Sequence, residues 1–429
     1  MDFNTTTLNF YKSAKLTDRK NEGQYMTPYN IIDLALKDIK FTKDSIILEP
    51  SYGTGQFLDK IKESNYKQIY GVEKDKTLFN LSKDTYKDLN LFNDNYLTKK
   101  FDTKFDFILG NPPYFEIDSS QAEKKQFADV ISGRPNIYSF FLKKGIDELK
   151  DNGELCFVIP TSLLTSKYFE KTRNYIHKFC SIVNIVKLTS DLFDDALQKT
   201  MIFHIKKCKP DNKFIINISN TIIFSPDYIE LRKFIDGKSF IKDLDCSVKT
   251  GSVVWNEFIV KYPGNLINNS KSDNKDNIPL IYPRNLKNGK ITLINNDKKP
   301  QYIKYSTKIL PIKAPVIVIN RIVGSDSISL NPVLIKTGSY YFENHINVIT
   351  GSLKNLKNIK KSLDDKVTID FIKKIIGNTQ LSKTELETMI PINDYDDSDG
   401  EFSSLTNDDL SDDDLSEDDY LDELDYLNY

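Results

Sequence analysis

Apolar positions in the first 210 residues follow two periods in turn. Ser45–Glu49 (SIILE), Gln68–Glu73 (QIYGVE), Phe105–Leu109 (FDFIL) and Glu154–Ile159 (ELCFVI) are short, nearly continuous apolar runs. Strands buried on both faces read this way. Between and around them, Ile31–Ile39, Phe57–Ile61, Thr77–Tyr86, Tyr138–Leu149 and Phe169–Phe179 place apolar residues at helical spacing. Ile182–Leu188 and Thr200–Ile205 add two late strands. This β-α-β-α order predicts an α/β fold: a parallel sheet with helices on both faces, closed by a hairpin-like pair. Residues 1–20 are polar and read as a loosely packed lead-in.

Beyond Pro210 the pattern changes. Short β-rich runs (Phe214–Ile218, Ser252–Val254, Pro315–Ile319, Ile346–Val348) alternate with Asn/Lys/Gly loops. Helical spacing stands out only near Tyr228–Phe234 and Ile369–Ile376, which predicts a second, mixed α+β domain. The domains expected are therefore a lead-in at 1–20, a catalytic domain at 21–212, a second domain at 213–393 and a tail at 394–429.

Charge sharpens the last boundary. The chain of 429 residues carries 59 Lys+Arg against 61 Asp+Glu, a net charge of −2 that argues against a nucleic-acid partner. From Asp394 to Tyr429, however, there are 16 acids and no Lys or Arg, so residues 1–393 hold 45 acids against 59 bases, a net +14. A basic body with an acidic tail points to a polyanion partner. The tail repeats Leu405, Leu410 and Leu415 between acidic clusters, the composition of a disordered segment. Its alternatives are a solubilising terminus, a competitor for the basic cleft, or a kinase substrate at Ser411 and Ser416.

Composition excludes several classes. Four scattered cysteines (Cys156, Cys180, Cys208, Cys246) form no CxxC, and there are three histidines, so neither a disulfide framework, a zinc site nor any other metal site is expected. No apolar h-region opens the chain and no 18-residue apolar run occurs, so neither secretion nor membrane insertion is expected.

Two constellations carry chemistry. Leu48-Glu49-Pro50-Ser51-Tyr52-Gly53-Thr54-Gly55 closes the first strand, where glycines let a ligand approach the backbone at the carboxyl edge of a parallel sheet. Glu73 ends the next strand, about 20 residues on, at the spacing of an acid that accepts ribose hydroxyls. No complete GxGxxG follows, so a phosphate-free adenosine ligand such as S-adenosylmethionine fits better than NAD. The second constellation is Asn111-Pro112-Pro113-Tyr114, directly after the strand Phe105–Leu109. Two prolines hold the backbone extended and keep its carbonyls out of a ladder. Asn111 offers a side-chain carbonyl, Pro112 a backbone carbonyl and Tyr114 an aromatic face. Two acceptors and a stacking ring suit a planar base with an exocyclic amino group.

With these residues in place, the chain resembles the gamma-class N6-adenine DNA methyltransferases of restriction–modification systems. Gly23-Gln24-Tyr25-Met26-Thr27-Pro28 is similar to the family's upstream cofactor motif, and Asn136-Ile137-Tyr138 and Gly153–Pro160 also match. Val248-Lys249-Thr250-Gly251 and Arg284-Asn285-Leu286-Lys287 resemble segments of its recognition domain. The resemblance implies a Rossmann-like S-adenosylmethionine-dependent methyltransferase sheet and a C-terminal target-recognition domain. It implies Asn111, Pro112 and Tyr114 as catalytic residues acting on a flipped-out adenine. Thr27, Glu49, Pro50, Gly53, Gly55, Glu73, Asp94, Asn95, Tyr96 and Pro113 would hold the cofactor, with Asp94 or Asn95 as acceptor for its adenine and Tyr96 stacking. Phe203, or else Phe193, would sandwich the target base, and Arg284 and Arg321 would contact DNA. Partners implied are double-stranded DNA and a separate cognate restriction endonuclease, for a monomer acting inside the cell in cytoplasm, viral factory or nucleus. N4-cytosine methylation, and RNA or protein-glutamine methylation, use the same tetrapeptide chemistry and stay open as alternatives, as does an idle DNA-binding module.

Overall fold

Alternate residues of the central strands face opposite ways, and both sets are buried. The computed structural model describes residues 3–393 apart from 16–18, 20–22, 63–67, 118–124, 134–135, 190–198, 262–265, 268–276, 295–299, 306–308, 322–329 and 377–379. The acidic tail, with Ser411 and Ser416, and Phe193 lie outside the described residues. In chain order the first half runs α1 (Thr5–Ser13), α2 (Tyr29–Leu36), β1 (Ile46–Glu49), α3 (Gln56–Lys62), β2 (Gln68–Glu73), α4 (Lys76–Ser82), β3 (Asn90–Asn93) and β4 (Phe105–Gly110). It continues through α5 (Ile137–Glu148), β5 (Leu149–Pro160), α6 (Glu170–Phe179), β6 (Ser181–Lys187) and β7 (Thr200–Lys206). These seven strands form one sheet in the order β3-β2-β1-β4-β5-β7-β6. The pairs among β1 to β5 are parallel, whereas β7 runs antiparallel to both β5 and β6.

On β5, Leu155, Phe157 and Ile159 join one core with Tyr138, Phe140, Leu142 and Ile146 of α5. Cys156 and Val158 join the opposite core with Ile31, Ile32 and Ala35 of α2 and Phe57, Leu58 and Ile61 of α3. Each face is thus sealed by helices, which is why the strands read as continuous apolar runs. The fold is a mixed α/β architecture built on a central, mostly parallel sheet, with further sheets at its C-terminal end.

Four differences from the sequence reading have physical reasons. β3 was not anticipated: its residues, Asn-Leu-Phe-Asn, lie on the sheet edge with half-buried or exposed side chains, so no apolar run marks it. The lead-in is not loose. Asn4 caps α1, accepting from the Thr7 amide, and Thr7 and Phe10 are buried. After β7, the hairpin of β8 (Ile215–Ile218) and β9 (Thr221–Phe224) lies beyond residue 212 yet serves two cores, Ile215 and Phe224 packing with the seven-stranded sheet while Ile216, Ile218 and Ile223 join the next core. Ser252–Val254 holds only an isolated bridge, Val253 to Glu343, rather than a strand.

The C-terminal part centres on an antiparallel sheet in which Ile346–Gly351 lies between Cys246–Thr250 and Val316–Asn320, with Val333–Ile335 outermost. Ile317 and Ile319 face a core shared with helices Leu353–Asp364, Lys366–Ile375 and Lys383–Met389, while Val316 and Val318 face a second one. The helix Leu353–Asp364 escaped the sequence reading because lysine and asparagine dominate it. Its buried stripe is narrow: Leu356, Ile359, Ser362 and Leu363. No helix among the described residues is long and apolar enough to cross a membrane.

Candidate active site

The carboxyl ends of β1 and β4 open on a small cleft whose lining includes Thr27, Glu49, Ser51, Gly53, Gln56 and Asn111. The turn from β1 into α3 forms one wall. Gly55 has φ +87°, and a Cβ there would lie 2.2 Å from the Tyr86 ring, so only glycine fits. The Tyr86 hydroxyl donates to the Gly55 carbonyl at 2.9 Å, backing the turn from behind. The Gly53 amide donates to Glu73 Oε2 at 2.8 Å, and the Asp75 amide donates to Glu73 Oε1 at 2.7 Å. Glu73 thereby ties the loop after β1 to the end of β2. Pro50 is buried beside Gly110, whose added Cβ would come within 3.6 Å of its ring.

Two buried carboxylates end β1 and β2, Glu49 in the cleft lining and Glu73 behind the Gly53 turn. Glu49 is only 3% exposed and its Oε2 has no hydrogen-bond partner. Burial, reinforced by the negative charges of Glu73 and Asp59, pushes its carboxyl well above the usual range. Glu73 is raised too, first by burial, with the amides of Asp75 and Gly53 pulling the other way. A buried acid with an unused oxygen is costly, and a cation seated beside it would relieve that cost.

The opposite wall includes Asn111, the first residue of the Asn-Pro-Pro-Tyr segment. Asn111 Nδ2 donates to the Tyr25 carbonyl and to Thr27 Oγ1, both at 3.0 Å. A backbone carbonyl only accepts, so this contact fixes which way the amide faces and leaves Oδ1 on the Tyr114 side. The Tyr114 hydroxyl donates to Asn111 Oδ1 and lies 2.9 Å from the Val158 carbonyl. Burial raises that phenol far above its ordinary value. Pro112 is buried, and Pro113 packs against Gly23, where a Cβ would meet it at 3.2 Å.

At the end of β3, the Asp94 amide donates to the Glu73 carbonyl at 3.1 Å, so Asp94 and Asn95 stand next to the β2 acid. Asp94 also accepts from the Asn95 amide and pairs with Lys99 at 3.5 Å. Tyr96 is a correction. The chain turns inward there, burying the ring 5.1 Å from Phe141 with its hydroxyl donating to Glu148, so it stacks in the core rather than on a ligand. Phe203 is another. It is fully buried on β7 and stacks on Phe224 at 6.0 Å, which leaves no face for a base.

Arg284 and Arg321 lie in the C-terminal part, and neither lines the cleft. Arg284 sits 5.2 Å over the Tyr282 ring, with Nε and Nη2 buried and unpartnered. Arg321 donates from Nη1 to the Asn344 carbonyl, while its own backbone bonds His345 and Leu381. Sequence reasoning missed Gln56 and the α1 residues Asn4 and Thr7, which brace the cleft from outside. The signal was there: Asn4-Thr5-Thr6-Thr7 before Leu8 is a helix-start pattern. Among the described residues, no cluster of three or more His, Cys, Asp or Glu side chains is placed to hold a metal ion.

Residues 6–193 match the family model of the Eco57I restriction-modification methylase. The type II methyltransferase M.CvrRI of Paramecium bursaria Chlorella virus XZ-6E is 29% identical over 387 residues, covering 89% of this chain and 97% of that protein. The modification methylase CviBIII of Paramecium bursaria Chlorella virus NC1A is 27% identical over 397 residues, covering 90% and 98%. A solved class I S-adenosylmethionine-dependent methyltransferase from Listeria monocytogenes aligns with TM-score 0.41 at 21% identity, over 48% of this chain and 68% of that one.

By these matches the chain is similar to type II restriction–modification methyltransferases. The cofactor that its motifs imply is S-adenosylmethionine. The residues present fit that group. Its amino and sulfonium charges complement the unpartnered Glu49 oxygen, and Glu73 is a buried acceptor at the end of β2.

Proposed function

We propose that this chain methylates N6 of adenine flipped out of double-stranded DNA, with residues 21–212 performing the chemistry and 213–393 recognising the target. S-adenosylmethionine supplies an activated methyl group. Every other requirement falls to the protein: to hold the amine in line, to accept its hydrogens and to exclude water. The observation that carries the reading is the fixed amide of Asn111, whose nitrogen is spent on Tyr25 and Thr27 so that Oδ1 serves purely as an acceptor.

Extracting the base costs a few kcal/mol of pairing and stacking. Tyr114 returns part of it by stacking. In the free chain its hydroxyl occupies Asn111 Oδ1, and entry of the base exchanges that hydrogen bond for one from the amino group. Asn111 Oδ1 and the Pro112 carbonyl then accept from both N–H groups, which localises the lone pair on nitrogen. The bound cofactor would supply the methyl, its sulfur leaving as the neutral thioether, and the methylated amine would pass one proton to solvent. No covalent nucleophile is required, and preorganised dipoles supply most of the rate. Glu49 and Glu73 hold the cofactor from the β1 and β2 edges, with Asp94 or Asn95 accepting from its adenine. Arg284 and Arg321 serve as DNA contacts, and lysines of the basic body contribute sequence-independent phosphate contacts.

Single-molecule sequencing of DNA from cells expressing this chain tests the reading. The expected result is a modified adenine in one sequence context. A cytosine signature, or no modification, would overturn it.

A further inference from the structure

The helix α1 is joined to Asn111 by a buried polar relay. The Thr7 hydroxyl lies 2.6 Å from Gln56 Oε1 and 2.6 Å from Thr54 Oγ1. Gln56 Nε2 donates to the Thr27 carbonyl, and Thr27 Oγ1 accepts from Asn111 Nδ2. Thr7, Thr54, Gln56 and Thr27 are all nearly or fully buried, with at most 4% exposure. Proton logic fixes the direction. The Thr27 carbonyl only accepts, so the Gln56 nitrogen faces it and Oε1 faces Thr7. The Thr7 hydroxyl also lies 2.8 Å from Asn4 Oδ1, but that oxygen already accepts from the Thr7 amide, so the one hydroxyl proton goes to Gln56. Thr54 in turn donates to Thr7. Asn4 anchors the outer end, donating to the Thr54 carbonyl at 3.2 Å and to Asp59 at 2.9 Å.

We infer that Thr7 is a positioning residue for cofactor binding: its hydroxyl orients Gln56, which sets Thr27, which holds Asn111. Thr7 itself does not line the cleft, whereas the three residues it acts through do. A segment outside the sheet therefore governs both walls, the Gly53–Gln56 turn on one side and Asn111 on the other. Without the donor, Gln56 Oε1 becomes a buried acceptor with no proton. The amide then turns or draws water, and the Thr27 carbonyl loses its restraint.

The inference rests on the reading of this cleft as the cofactor site, and the test separates the two. Binding of S-adenosylhomocysteine to the full chain is measured by calorimetry for wild type, Thr7→Val, Thr7→Ser, Thr172→Val and Glu49→Gln. Thr172 is the control, equally buried but donating to the Val130 carbonyl and absent from the cleft lining. Thr7→Val is expected to raise Kd about tenfold, with Thr7→Ser and Thr172→Val within about twofold of wild type. In turnover, KM for S-adenosylmethionine should rise while KM for DNA stays put. Should Thr7→Val fail to fold, Thr7→Cys, similar in size with a weak donor, takes its place and should fall between wild type and that tenfold loss. Wild-type affinity in Thr7→Val, an equal loss in Thr172→Val, or no rescue by serine would each overturn the role of Thr7. If Glu49→Gln binds normally, it is the assignment of the cleft that fails.

Discussion

Two buried polar clusters, one in each half of the molecule, end differently. In the C-terminal part, Gln301 and Asn285 are fully buried and closed on themselves. Asn285 accepts from the Tyr282 amide and donates to the Thr292 carbonyl, while Gln301 accepts from the Ile294 amide and donates to the Leu280 carbonyl. Every valence is used within the fold. The cluster at the cleft, with Glu49 buried and Asn111 half-buried, keeps unused acceptors: Glu49 Oε2 and the second lone pair of Asn111 Oδ1. Burial of polar groups marks where a fold is locked. Acceptor capacity left over at an opening marks where it binds.

Substitutions sharpen that contrast. Asn111→Ala carries the largest expected effect, a fall in kcat of about 10²–10³ with cofactor affinity held within a few-fold, read by single-turnover methylation beside equilibrium dialysis. Glu49→Gln should weaken cofactor binding by about tenfold or more, as a cation loses its buried counter-charge.

The same residue sets a pH dependence. The Glu49 carboxyl is raised in the folded chain, so stability is greatest below the unfolded carboxylate pKa and is lost as pH rises through the folded value. Glu49→Gln should flatten that loss in denaturant titrations between acidic and neutral pH. A cationic ligand pulls the pKa back down, so binding should release a proton, visible as a dependence of calorimetric enthalpy on buffer ionisation.

Gln301→Leu strands Asn285 and the Ile294 amide. It should cost about 2–3 kcal/mol of unfolding free energy while leaving cofactor affinity unchanged. Loss of cofactor affinity in that variant would break the comparison between the clusters. The smallest effect belongs to Phe203→Leu, about 1 kcal/mol from a repacked core and no change in kcat. A large fall in kcat there would restore Phe203 to the base pocket.

The sheet was legible because a parallel sheet buried on both faces writes itself as apolar runs. Glu49, Gly53, Thr27 and Asn111 were legible because their motifs sit where such strands end, and the structure gathers them around one cleft. β3 was not, since an edge strand reading Asn-Leu-Phe-Asn carries no apolar signal. Tyr96 and Phe203 show the opposite failure. An aromatic beside a motif can face either way, and the direction depends on packing partners, Phe141 and Glu148 for one and Phe224 for the other, that lie far off in sequence. α1 was overlooked because its value lies in hydroxyls rather than apolar surface: Thr7 is buried for the bond it donates.

The most direct test is the nucleoside product. Purified protein, S-adenosylmethionine and unmethylated plasmid DNA are incubated, the DNA is digested to nucleosides, and the methylated species is identified by mass spectrometry for wild type and Asn111→Ala. The account expects N6-methyladenine from the wild type and almost none from the variant, with both proteins binding cofactor. N4-methylcytosine as the wild-type product, or N6-methyladenine formed at normal rate by Asn111→Ala, would contradict it.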